Sequence, residues 1–335
     1  MRHTQRAIGL IAVAVALSAL AATLMAAAAS ASPARSRSHA VGAPILKATI
    51  PVGLGPQGVA ADAKTDTIYT ANQGDNTVSV INGQTNTVAA TIPVGVAPAA
   101  LAVNRKTDTI YVGNVNGTTV SVINGQTNTV SATIPMPMGE SPQGVAVNSK
   151  TNTVYVAISG GTAVVVISGG TNTVTATIPV GGPQNAIAVN PKTNTIYVTT
   201  NGTVPVISGR TNTVTATIPM GNLPQGIAVN PKTNTVYVAN RQNSTVSVIS
   251  GRTSTVTATI SFPDIGPFAV AVNPKTNTIY ETNQGEDTTL VISGQTNTVT
   301  DRLNVGGEGG VAADPKTNNF YVTEPGNNTL LVFGF

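Results

Sequence analysis

The chain repeats itself, and that repeat limits what it can fold into. Each of its seven tyrosines marks one copy: Tyr69, Tyr111, Tyr155, Tyr197, Tyr237, Tyr280 and Tyr321, at spacings of 42, 44, 42, 40, 43 and 41 residues. The copy from Ile227 to Gly251 reads IAVNPKTNTVYVANRQNSTVSVISG. Each period holds four short runs of small, β-branched or aromatic residues, separated by Asn, Pro and Gly, which make turns. A unit this short cannot bury both faces of its own sheet, so neighbouring units must stack. Four strands in 40 to 45 residues is the pattern of a propeller blade. The expected class is therefore all-β: a seven-bladed β-propeller of four-stranded antiparallel blades.

One period shows how a blade is made. Gly226-Ile227-Ala228-Val229 is small enough for the crowded strand nearest the axis. Asn230-Pro231-Lys232-Thr233-Asn234 has type I turn chemistry, and Asn or Asp opens and closes this turn in all seven copies. Thr235-Val236-Tyr237-Val238 and Thr245 to Ile249 form the second and third strands, and Thr255 to Ile260 forms the outer one. Antiparallel order puts both tight turns on one face of the disc and both irregular connections on the other. Ligand-selective groups are expected among the irregular connections. Ile45 to Pro51 matches an outer strand with no blade before it, while Thr329 to Phe333 is a third strand with none after it. The N-terminal strand is therefore expected to complete the last blade, with Leu46, Ala48 and Ile50 facing inward, and so remove the open edges.

Before the repeats, Met1 to Ala31 has a basic start (Arg2, Arg6), an apolar stretch from Ala7 to Leu24, and an A-x-A ending, Ala29-Ser30-Ala31. This is the pattern of a cleaved secretory signal peptide (1–31). The stretch is also long enough for a retained membrane anchor, but the crowded small residues and the polar SPARSRSHA that follows favour cleavage. Residues 32–44 read as a flexible linker and 45–335 as the propeller. The expected location is extracytoplasmic: secreted, periplasmic or cell-wall associated, with no transmembrane anchor after cleavage, as a monomer. With no cysteine, stability there does not rest on disulfides.

The runs YVAN at Tyr237 and YVTT at Tyr197, each preceded by PKTNT, and the recurring NTVTATIPVG resemble the repeat of the YVTN family, the YncE-like proteins. The resemblance covers about Ile45 to Phe335. It implies a seven-bladed, extracytoplasmic protein and carries no catalytic residues over. Similar propellers include lactonases and streptogramin lyases. The lyase likeness weakens here because both histidines, His3 and His39, lie outside the repeats, leaving the propeller no imidazole base or ligand. An enzyme is less expected than a binding scaffold. The enzymatic alternative is a lactonase-like hydrolase working through carboxylates.

Charge divides sharply between the two faces. The tight-turn face carries Lys64, Lys106, Lys150, Lys192, Lys232, Lys275 and Lys316 with Arg105, Arg210 and Arg252: ten cations against four acids, a net of plus six. The irregular face carries eight acids against Arg241, a net of minus seven. The lysine ring has two readings. One is turn residues that keep a Thr/Val-rich protein soluble; the other is a footprint for a polyanion such as nucleic acid or an anionic cell-wall polymer. The lack of Trp weakens base-stacking recognition. On the irregular face Glu281, Glu286, Asp287, Glu308 and Glu324 crowd the last two blades. They are either solvated and ion-paired or a site for calcium or another divalent cation. Glu281 replaces a residue that is Val in five copies and Thr in one, so its charge is expected near the open end of the strand or paired. Gln57, Gln143, Asn185, Gln225 and Phe268 are expected at the channel mouth, where the four amides suit a polar ligand or ordered water. Through these loops the leading expectation is a scaffold that binds a cell-envelope or extracellular protein or polymer.

Overall fold

Alternation along a strand sends successive side chains to opposite faces, so a strand with a neighbour on each face can be apolar throughout. The computed structural model, which describes residues 42–137, 140–263 and 266–335, has this arrangement. The expected signal peptide (1–31) and the expected linker up to residue 41 lie outside the described residues. Among the described residues twenty-eight strands form seven four-stranded antiparallel sheets: blades at residues 56–93, 98–135, 141–179, 184–219, 224–261 and 266–303, and a seventh at 311–334 completed from the N-terminal side. In blade five the middle strands, Thr235–Asn240 and Thr245–Ser250, are buried on both faces, whereas the outer strand Thr255–Ser261 is largely exposed.

The ring closes as the sequence implies. Strand β1 (Ile45–Pro51) pairs with the final strand Thr329–Gly334, from Ile45 opposite Gly334 to Pro51 opposite Thr329. One detail departs from expectation. A register shift between Leu46 and Ala48 breaks the alternation, so Leu46 is 53% exposed while Ile50, at 3%, packs with Leu330 and with Ile68 of the first blade.

All seven tyrosines are buried between blades. Tyr69 of blade one, for instance, packs against Leu101, Ile110 and Val112 of blade two. Between the last two blades Tyr280 stacks on Phe320, with centroids 4.2 Å apart. Near the axis the inner strands approach closely: a Cβ at Gly226 would fall 2.6 Å from the carbonyl oxygen of Phe268 in the next blade, so only glycine fits.

Asparagine does two separate jobs. On the irregular face Asn72, Asn114 and Asn240 donate to Thr and Ser hydroxyls of the following strand, holding the hairpin together. On the tight-turn face the first residue of the inner turn accepts from a backbone N–H two residues on, as Asn230 does from Lys232. Its amide then reaches the next blade. Asn104 donates to Asn152 (2.7 Å), Asn148 to Asn194 (2.6 Å), Asn190 to Asn234 (2.7 Å), Asn230 to Asn277 (2.6 Å) and Asn273 to Asn318 (2.8 Å). The accepting residue sits at φ near +55°, a backbone conformation that Asn and Asp tolerate best among residues with a Cβ.

Candidate functional site

The amide ring at the irregular mouth is built from bulges. Gln57, Gln143, Asn185, Gln225 and Phe268 each fall in a register break near the start of the innermost strand, inside it rather than before it. Gln143 is exposed and the others half-buried. The bulges serve the fold: Thr323 donates to the Gln57 carbonyl (2.8 Å), Thr199 to that of Gln225 (3.0 Å), and the Asn185 amide to Pro224 (2.9 Å). Asn185 therefore spends its amide on the neighbouring blade, while the side chains of Gln57 and Gln143 make no such bond among the described residues.

The five acids of the last two blades do not converge. Glu286 pairs with Arg302, and Glu308 accepts from Gln284. Glu324 accepts from Thr329 (2.8 Å) and Asn327 (3.3 Å), while Asp287 lies exposed in the 285–287 turn. Among the described residues no three acidic, histidine or cysteine side chains come close enough to hold a metal ion. Glu281 corrects the expectation made for it. It is neither at an open end nor paired: it is 0% exposed, between Val270 and Leu290 on the neighbouring strands, and neither carboxyl oxygen has a hydrogen-bond partner among the described residues. Burial pushes its pKa well above the usual carboxylate range.

The tight-turn face is different. All seven lysines, Lys64, Lys106, Lys150, Lys192, Lys232, Lys275 and Lys316, are exposed, and none lies within 4.0 Å of a carboxylate among the described residues. Each follows the first residue of an inner turn by two, so the fold repeats one lysine per blade around the axis. Lys192, Lys232, Lys275 and Lys316 from four successive blades rim a depression of about 540 Å³ whose floor is Pro231, Pro274, Pro315 and Ala63. A larger groove of about 830 Å³ opens between blades five and six, lined by Thr233, Asn234, Tyr237, Asn277 and Arg252. The proline floor was the part not anticipated. Its signal in the sequence is the Pro that directly precedes four of the seven lysines.

Together these features define the class: a seven-bladed β-propeller with a lysine-rimmed axial mouth. No family model matches the chain, and no curated protein matches it in sequence. Among solved structures it is similar to a chain of Kuenenia stuttgartiensis hydrazine synthase, with a TM-score of 0.77 at 18% identity, covering 84% of this chain and 96% of that one. At that identity the likeness is one of fold.

Proposed function

We propose that this is an extracytoplasmic, non-enzymatic scaffold of the YVTN type whose basic axial face binds an anionic polymer. The observation that carries the reading is the convergence of Lys192, Lys232, Lys275 and Lys316 on one depression, exposed and free of carboxylate partners. Unpaired cations around a concave mouth attract a chain of phosphates or carboxylates and release its counterions, without requiring any particular sequence of monomers. The secretory pattern of residues 1–31 supports a ligand met outside the cytoplasmic membrane. The hydrolase reading has less support, because Glu286, Glu308 and Glu324 are tied to separate partners and Glu281 is buried with its pKa raised.

A second reading, a protein partner on the irregular face, is favoured by Leu54 and Val96, exposed on adjacent connections at 54% and 53%. One salt series separates the two. Binding of linear polyphosphate and of a single-stranded oligonucleotide is measured by anisotropy from 50 to 300 mM salt, with the parent and with Lys192→Gln/Lys232→Gln/Lys275→Gln. The basic-face reading expects weaker binding and a salt slope lowered by about two, at roughly 0.7 per lost phosphate contact. Equal affinity and slope in the variant would leave only the irregular face.

A further inference from the structure

Five of the seven blade junctions on the tight-turn face are bridged by an asparagine donating to an asparagine, at 2.6 to 2.8 Å. The two junctions that flank blade one are not. Between blades one and two the corresponding residues are Asp62 and Asp108; between blades seven and one they are Asp314 and Asp66. Asp62 and Asp314 each accept from the backbone N–H two residues on (2.8 Å), as the asparagines do, so the second carboxyl oxygen takes the place of the donating amide. The receiving atom is also in the usual place. A Cβ at Gly83 would meet Asp66 Oδ1 at 2.3 Å, as one at Gly169 would meet Asn152 Oδ1. At these two junctions, then, an acceptor faces an acceptor. Asp62 Oδ2, Asp66 Oδ1 and Asp108 Oδ1 are buried without hydrogen-bond partners among the described residues.

The two junctions are compensated differently. Arg105 stands where other copies have Pro, Ser or Ala, and its Nε lies 3.8 Å from Asp62. The protein thus supplies its own cation between blades one and two. Between blades seven and one no Lys or Arg of the described residues comes within 4.0 Å of either carboxylate. Two further hydroxyls belong to this place. Thr317 donates to Asp314 Oδ2 (2.9 Å); the Tyr321 hydroxyl is fully buried without a partner; and that phenol is pushed up to about 12 by burial first and then by the nearby Asp314 and, more weakly, Asp66.

We infer that the junction between the last and first blades is a cation site, where a hard divalent ion, calcium by ligand type, is held between Asp66 and Asp314 with the Tyr321 and Thr317 hydroxyls beside it. Oxygen-only ligands, two of them carboxylates, are what such an ion takes, and burial raises its attraction to them. An ion held there would fasten the same junction that the N-terminal strand closes.

The test uses the full chain stripped with EDTA, then titrated with calcium chloride and separately with magnesium chloride, followed by melting and by calorimetry. The parent should show a saturable rise in Tm and binding near one ion per chain. Asp314→Asn restores the asparagine found at five other junctions, so it should fold, melt above the stripped parent, and lose at least tenfold in calcium affinity. Asp66→Asn should lose it likewise, while Asp62→Asn, at the junction served by Arg105, should keep it. No saturable response to either ion in the parent, or a response retained in both Asp314→Asn and Asp66→Asn, overturns the proposal.

Discussion

Glu281 is the residue that the rest of the molecule least accommodates. It stands in the place of a valine at a blade interface, with both carboxyl oxygens unpartnered among the described residues. Replacing it with valine should stabilise the protein by about 1–3 kcal/mol, the usual cost of a buried unsatisfied polar group, read as a higher midpoint in urea. The pH dependence follows from the direction of its shift. The unfolded chain releases this proton near 4.5, whereas the folded protein holds it to a much higher pH. Above 4.5 the folded state therefore binds more protons, and stability falls as pH rises toward the folded value. Glu281→Gln should flatten the decline of stability above pH 4.5; an unchanged profile would show that the folded pKa of this group is not raised. The sequence marks Glu281 as a departure from its copies. It does not reveal burial, because that depends on the blade packed against this face, and one period says nothing of its neighbour's distance.

At the scale of the element, the closing strand carries the clearest consequence. Deleting residues 44–53 removes Ile50 from the core shared with Ile68 and Leu330 and exposes the edge of Thr329–Gly334. Burial of one large aliphatic is worth roughly 1.5–3 kcal/mol, and the lost strand pairing adds to it. The truncated protein should melt well below the parent and self-associate on a sizing column through the bare edge. A monomer that melts with the parent would contradict the closure. Tyrosine spacing and the orphan strand at Ile45 made the architecture legible, since each reports a whole period. The bulge at Leu46 was not, because apolar alternation through Leu46, Ala48 and Ile50 reads as unbroken. Nor was the fate of the bulged amides: Asn185 looks like ligand chemistry in sequence and serves the adjacent blade in the fold.

For the whole molecule, the governing feature is where the repeat places charge. One lysine per blade is ordinary in any single turn, and closure gathers four of them on one proline-floored mouth. Of the five acids crowded on the last two blades, Glu286, Glu308 and Glu324 go to separate partners and Glu281 is buried alone, so crowding in sequence did not become a cluster among the described residues. Exposed turn charges contribute little to stability, and Lys192→Gln/Lys232→Gln/Lys275→Gln should leave Tm within about a degree of the parent, in keeping with changes under roughly 0.5 kcal/mol for such sites. That neutrality makes the variant a clean probe. The decisive comparison is polyphosphate binding by parent and triple variant across a salt series. Affinity of the parent should fall steeply with salt, and the variant should bind at least tenfold more weakly at 50 mM salt with a shallower slope. A parent that does not bind, or a variant that binds as the parent does, would contradict a basic axial face that holds an anionic polymer.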